Sequence, residues 1–257
     1  MILRFVILLG LLWFSVPGSL PLAQPSQDKP DSRARVVLEV AMQAMGGEKP
    51  LNIKTITGSG KFMQFDEKGE LALLTDFVDY IAYPDKERTE FGKGKKRFIQ
   101  TNVGATGWVY DGEQKAIRDQ TPEQVENFQR GLRHNLDNLL RRARQPDAQL
   151  RYLGEKEIWF RQRGKGVEIR FPLEDGRQEV VELYIDPQTR EPVKVGYENE
   201  EDRFFLYREF NGVNWPLRID HYKGGLQTAR ISYNSVEFNK PIDPSLFEKP
   251  ENPDKVK

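Results

Sequence analysis

The chain has 257 residues, and 39 Lys and Arg exactly offset 39 Asp and Glu, so it carries no global positive field and no nucleic-acid partner is expected. Hydrophobic residues make up 38% against 30% charged, which predicts a core that is thin for the length, as in one curved sheet rather than a deep globule. There is no cysteine, which excludes disulfides, thiol redox chemistry, thiolate zinc sites and the lipid-modified cysteine of a bacterial lipoprotein.

The N-terminus places Arg4 before an apolar run from Phe5 to Val16 that breaks at Pro17-Gly18. The run is shorter than the ~20 residues needed to span a bilayer and has the layout of a secretory signal, predicted over residues 1–23. Export to the periplasm follows as an expectation. Gln24 to Ser32 is polar and reads as a disordered leader. Val36, Val37, Val40, Ala41, Ala44 and Met45 lie on a helical stripe that Gly46-Gly47 stops, predicting a first helix over Arg33 to Met45.

From Leu51 the spacing becomes β-like. Strands are predicted over Ile53–Phe65, Leu71–Tyr83, Glu87–Phe91, Arg97–Val103 and Trp108–Tyr110, the last running into an Asp111-Gly112 hairpin signal. Thr121-Pro122-Glu123 then has the chemistry of a helix start. One amphipathic helix is predicted to about Arg144, with Val125, Phe128, Leu132, Leu136, Leu139 and Leu140 on its apolar face and Arg130, Arg133, Arg141, Arg142 and Arg144 on the rest. The second half is a meander again, over Glu157–Gln162, Gly166–Leu173, Glu179–Asp186, Pro192–Tyr197, Phe204–Phe210, Trp215–Ile219 and Ala229–Asn239, with turns at Asp175-Gly176, Asn211-Gly212 and Gly224-Gly225.

Two kinds of strand are mixed. Val167, Ile169, Phe171 and Leu173 alternate with Glu168 and Arg170, the pattern of a sheet with one wet face. By contrast Phe77 and Ile81 oppose Val78 and Tyr80, and Phe204 and Leu206 oppose Phe205 and Tyr207, so the second face is also covered in places. Edge packing with the two helices explains this, as does an apolar cavity roofed by the amphipathic helix.

Catalytic signatures are sparse. His134 and His221 lack metal-ligand spacing, and there is no nucleophile elbow, phosphate loop or dinucleotide fingerprint. Carboxylates such as Asp76, Asp79, Glu168, Asp186 and Asp220 are the usual residues of a wet face, although counting them does not exclude a hydrolase pair. No enzyme activity, metal or cofactor is expected. The basic clusters Lys93-Gly94-Lys95-Lys96-Arg97 and Arg141-Arg142-Ala143-Arg144 read as a solvated turn and a dipole-compatible helix end, or as contacts to lipid phosphate or an acidic partner. Trp108 and Trp215 read as core.

Several segments resemble LolA-like proteins, the outer-membrane lipoprotein-sorting group. They are Ala41–Gly47 followed by Leu51–Ile56 and Gly58-Ser59-Gly60, then Tyr83-Pro84-Asp85-Lys86-Glu87-Arg88, Gly107–Gly112, Tyr184–Thr189, Phe210-Asn211-Gly212-Val213 and Asn239–Pro250, in the family's order over most of the chain. The resemblance implies an α+β, mainly antiparallel fold: a half-open curved barrel over residues 33–250 with helices as a lid on an apolar cavity, and a flexible tail over 251–257. It also implies a carrier or binder of lipids or lipoprotein acyl chains. Arg88 is the candidate for the family's lid-locking arginine at the polar mouth. The predicted lining is Phe62, Phe77, Phe128, Leu132, Val167, Ile169, Phe171, Phe204 and Leu217, and the predicted docking face for a membrane-embedded donor or acceptor is Arg141, Arg142 and Arg144. The protein is expected to be a monomer. The alternative reading is a periplasmic sensor or adaptor that uses the same fold to contact a membrane partner.

Overall fold

Turn chemistry sets the strand order. In the computed structural model, which describes residues 31–256, the pairs Asn211-Gly212 and Gly224-Gly225 all take positive φ (51°, 79°, 58° and 84°). Those values match the primed turns whose twist suits two-residue hairpins. The predicted signal segment, and the leader as far as residue 30, lie outside the described residues. Asp31 and Ser32 belong instead to the first helix, α1 (Ser32–Ala44): Asp31 caps it by accepting from the Arg33 backbone N–H at 2.9 Å.

The strands are β1 (Thr55–Phe65), β2 (Leu71–Ala82), β3 (Lys86–Phe91), β4 (Phe98–Val103), β5 (Thr106–Asp111), β6 (Ala116–Asp119), β7 (Gln149–Trp159), β8 (Gln162–Pro172), β9 (Gln178–Ile185), β10 (Pro192–Tyr197), β11 (Glu200–Phe210), β12 (Val213–Lys223) and β13 (Leu226–Phe238). They form one antiparallel sheet of 13 strands in the order β6-β5-β4-β3-β2-β1-β13-β12-β11-β10-β9-β8-β7. Two meanders are therefore joined back to back through β1 and β13, and the outer strands β6 and β7 do not pair. The curved sheet is an unclosed, half-open barrel, as the sequence predicts.

The chain passes from β6 to β7 through α2 (Pro122–His134) and α3 (Leu136–Ala143). Because β6 and β7 are opposite edges of the sheet, this connection has to cross the concave side. The single basic helix predicted over 121–144 is thus two helices. Asn135 leaves helical geometry between them (φ −52°, ψ 136°). The start is as predicted: Thr121 and Gln124 form a reciprocal capping box with Pro122 in the first turn.

Two further departures have simple causes. The predicted strand at Glu157–Gln162 is the tip of the β7–β8 hairpin, where Trp159 pairs with Gln162. Most of β7 escapes sequence reading because it is an edge strand interrupted by a bulge at Gly154 (φ 85°), so its polar residues follow no period. The β6 edge strand has only four residues, too few for periodicity.

The core cluster extends along the trough through Ile56, Ile81, Phe204, Trp215 and Phe238, and in one half the helices pack directly onto it. Leu38, Ala41, Met42 and Met45 of the α1 segment meet Leu136, Leu139, Leu140 and Ala143 of α3 over Val167, Ile169, Phe171, Val181, Leu183, Ile185 and Val195 of β8–β10. Residues after β13 cross the other, convex face. There Phe247 is buried, Arg88 Nη1 donates to the Leu246 carbonyl at 2.7 Å, and Lys249 reaches Asp119 at 2.6 Å. A short 3-10 turn, Pro253–Lys255, follows in the segment predicted as a flexible tail.

Candidate functional site

In the other half of the trough, the alternation along β1, β2 and β3 brings one row of side chains to the concave face. Phe77 lies opposite Gly60 and Phe91, Asp79 opposite Gly58 and Thr89, and Ile81 opposite Ile56 and Glu87. Across the β1–β13 seam, Phe62, Ile231, Ile219 and Phe204 continue the surface in register. Above them lies the α2–α3 joint. The enclosed space is a cavity of about 270 Å³ whose apolar wall includes Phe62, Phe77, Phe91, Phe204, Ile219 and Ile231, and whose roof is Gly131, His134, Asn135 and Leu136. Trp215, Pro216 and Tyr233 line it as well.

Of the nine predicted lining residues, Phe62, Phe77 and Phe204 line this cavity. Val167, Ile169 and Phe171 are fully buried beneath α1 and α3, and Leu132 joins the same core. Phe128 is half-buried against that core, and Leu217 is half-buried on β12. Strand alternation pointed the strand residues, and helical periodicity Phe128 and Leu132, to the apolar side; neither carried information about which half of the trough the helices fill.

Arg88 is a correction. It shares a row with Tyr80, Thr101 and, through Thr101, Trp108, on the face opposite the Asp79–Thr89 row. It is 1% exposed, ion-paired to Glu90 at 2.7 Å, stacked over Trp108 and closed over by Leu246. It fastens the C-terminal segment to the back of the sheet and does not sit at the mouth.

The predicted docking arginines are engaged within the molecule. Arg141 donates to the carbonyls of Leu51 and Ile53, each at 3.1 Å, pairs with the fully buried Asp137 at 3.2 Å and stacks on Tyr83. Arg142 donates to the Pro172 carbonyl and covers Phe171. Arg144 pairs with Glu48 at 2.6 Å in an exposed position. These contacts fasten α3 to the barrel. By contrast, α2 is held mainly by polar links: Arg133 Nε to Glu179 at 2.6 Å, His134 Nε2 to Glu179 at 2.8 Å, and Arg130 to Glu200 at 3.4 Å and over Tyr197. Only Val125 and Leu132 of α2 are buried.

The cavity also holds polar groups that sequence reading did not single out. Tyr233 donates its hydroxyl to Asp79 Oδ2 at 2.9 Å. A Cβ on Gly58 would lie 2.2 Å from Asp79 Oδ1 and 2.5 Å from the Tyr233 ring, so this glycine makes room for the pair. Thr89 donates to Glu87 at 3.2 Å, and His221 Nδ1 is bonded to Asp202. Burial raises the Asp79 carboxyl to about 6. Burial, with the Asp79 charge beside it, raises Glu87 to about 8. For His221 burial acts downward, but the Asp202 charge and hydrogen bond outweigh it, and the net shift is upward. Among the described residues no group of three or more His, Asp or Glu is placed to hold a metal ion.

The raised Glu87 predicts a pH effect. A carboxyl held above its ordinary value of 4.5 keeps its proton in the folded state while the unfolded chain loses it, so this group lowers stability as pH rises from about 4.5 towards 8. Glu87→Gln is expected to melt several degrees above the wild type at about pH 8.5, a gain of about 1–3 kcal/mol, and to match it at about pH 4. Thermal melts across that range check this; a constant difference at all pH values contradicts it.

No family model matches the chain, and no curated protein matches it. Solved structures do. A DUF1329 family protein from Desulfovibrio piger superposes with a TM-score of 0.58 at 12% identity over 84% of this chain and 97% of that one. A LolA superfamily protein from Nitrosomonas europaea gives 0.54 at 12% identity over 84% and 97%. The fold is LolA-like. A domain assigned to outer membrane lipoprotein sorting, from Vibrio parahaemolyticus, gives 0.52 at 13% identity over 83% and 97%. At these identities the likeness is one of architecture.

Proposed function

We propose that this LolA-like protein is a periplasmic, non-enzymatic carrier or binder that takes the acyl chains of lipids or lipid-modified proteins into the cavity beneath the α2–α3 joint. The observation that carries this reading is the half-filled trough. The α1 and α3 helices pack one side as a conventional core, while the other side keeps an aromatic-walled cavity of about 270 Å³. That volume is just under the roughly 300–1,000 Å³ typical of ligand pockets, so a long chain needs more room than the closed form offers. Each methylene moved out of water gains about 0.8 kcal/mol, which makes even partial insertion worth several kcal/mol.

The fastenings favour α2 as the moving part. Leu139 and Leu140 anchor α3 in the core, whereas α2 buries only Val125 and Leu132 and is otherwise attached through ion pairs to Glu179 and Glu200. The α2 helix is the lid and the extended Asn135 its hinge. The N-terminal run from Phe5 to Val16, read as a secretory signal, supplies the periplasmic assignment.

The direct test is displacement of a fluorescent fatty-acyl probe from detergent-free protein. Ile231→Trp places an indole in the cavity wall and is expected to weaken probe uptake by at least about tenfold while the fold persists by circular dichroism. Unchanged uptake in a folded Ile231→Trp protein, or no uptake by the wild type, overturns the proposal.

The adaptor reading draws on a different observation. Leu71, Leu73 and Leu74 are exposed in the β1–β2 hairpin region, and Leu226 is exposed in the adjoining β12–β13 hairpin. This apolar rim, rather than the α3 arginines, is the surface such a partner would meet.

A further inference from the structure

The ionisable groups of the cavity are mostly acidic. Its ionisable lining is Asp79, Glu87, His134, Asp202 and His221, and no Lys or Arg lines it. The two histidines already have partners: His221 is bonded to Asp202, and His134 to Glu179, which Arg133 also contacts. The carboxylates of Asp79 and Glu87 remain, on adjacent strands of the same concave surface. Their side-chain donors among the described residues are the hydroxyls of Tyr233 and Thr89, which bring no positive charge.

Two buried polar atoms in this lining lack hydrogen-bond partners among the described residues. One is Oδ1 of Asp79, whose residue is 5% exposed; the other is the indole Nε1 of Trp215, also 5% exposed. An unsatisfied buried acceptor and an unsatisfied buried donor each cost free energy that a matching ligand group would recover. The acceptor calls for an N–H or O–H, and the donor for an oxygen.

We propose that the cavity selects amphiphiles whose polar end is a protonated amine, seated against Asp79 and Glu87, with an oxygen near the amine to accept from Trp215. This inference rests on the acyl-binding reading above and specifies the class of its ligand. An ammonium group offers three donors and a full positive charge to a pair of carboxyls whose side-chain donors among the described residues are two neutral hydroxyls. Burial raises Asp79 less than Glu87, to about 6 against about 8, so Asp79 is the first of the two to lose its proton as pH rises, and an ammonium seated there favours its charged form. The hydrocarbon runs from there along Phe62 and Phe91. A free fatty acid or a phosphate monoester would place like charge against Asp79 in a site that excludes water, where repulsion is least screened.

The experiment compares three probes of equal chain length, dodecylamine, dodecanol and dodecanoate, below their micelle concentrations, by calorimetry or by displacement of a neutral fluorescent probe from the full-length protein. Dodecylamine is expected to bind at least about tenfold more tightly than dodecanoate near neutral pH, about 1.4 kcal/mol. Glu87→Gln should reduce that preference, and Asp79→Asn, which keeps the acceptor for Tyr233, should abolish it while the affinity for dodecanol stays within about threefold. Should Asp79→Asn fail to fold, Glu87→Gln together with the wild-type ranking decides the matter. Dodecanol bound with no preference for the amine, or a preference that survives both substitutions, overturns this inference and leaves the acyl-binding reading standing. Failure of all three probes to bind overturns both.

Discussion

Arg141→Ala is expected to destabilise the protein by about 3–5 kcal/mol, far more than the loss of a surface arginine. The guanidinium joins three parts of the molecule. It donates to Asp137, which is fully buried, has its carboxyl raised to about 6 by burial against the opposing charge of Arg141, and also accepts from the Tyr83 hydroxyl at 2.9 Å. Truncation leaves that carboxylate without a cation and the carbonyls of Leu51 and Ile53 without their donor. The loss should therefore grow with pH, because the unpaired carboxyl binds its proton more tightly in the folded state than in the unfolded one. Asp137→Asn in the Arg141→Ala background is expected to recover part of the loss and to flatten its pH dependence. Arg144→Ala is the control: its pair with Glu48 is exposed, and it should cost no more than about 1 kcal/mol. Denaturant melts of the four proteins at two pH values test this, and equal losses for Arg141→Ala and Arg144→Ala would contradict it.

Leu139→Ala is expected to cost about 2–5 kcal/mol, with a melting temperature lower by roughly 5–20 °C. Leu139 has no solvent exposure and sits where α3 enters the core shared by α1 and β8–β10. A cavity there loosens the helix that the proposed lid hinges on, so acyl-probe exchange should also quicken. Val125→Ala on α2 provides the contrast. Its side chain belongs to the lid itself and lies outside the main core cluster, so it should cost about half as much or less in stability. Comparable losses at the two positions would contradict the division of α2 and α3 into lid and plug.

The legible parts of the fold were those where local chemistry leaves few choices. Asn211-Gly212 and Gly224-Gly225 accept positive φ, so the last two hairpins could be read directly. Thr121-Pro122-Glu123 marked a helix start correctly because capping depends on a handful of adjacent groups. The break at Asn135 left no comparable mark. The apolar positions of α2 and α3 fit one continuous stripe, and the geometry there is decided by Tyr83 and the barrel beneath.

The site was partly legible for the same reason. Phe62, Phe77 and Phe204 were recognisable as concave-face residues from their alternation, but Val167, Ile169 and Phe171 follow the identical rule. Arg88 carries no local sign of its face, since a strand covered on both sides does not reveal its parity. Asp79, Glu87 and Trp215 look like an ordinary wet face and core until the sheet curves.

What the residue order determined by itself was most of the strands, the edge strands β6 and β7 excepted, and their antiparallel succession, the charge-neutral and cysteine-free character, and the presence of amphipathic helices, because each depends on neighbours a few positions apart. What only the tertiary structure decided was which half of the trough stays open, which helix is fastened by leucines and which by ion pairs, and that two carboxyls and an unpartnered indole line the same cavity. Those outcomes depend on the β1–β13 seam and on a helical connection forced across the trough between unpaired edges, contacts between residues more than a hundred positions apart that no local pattern encodes.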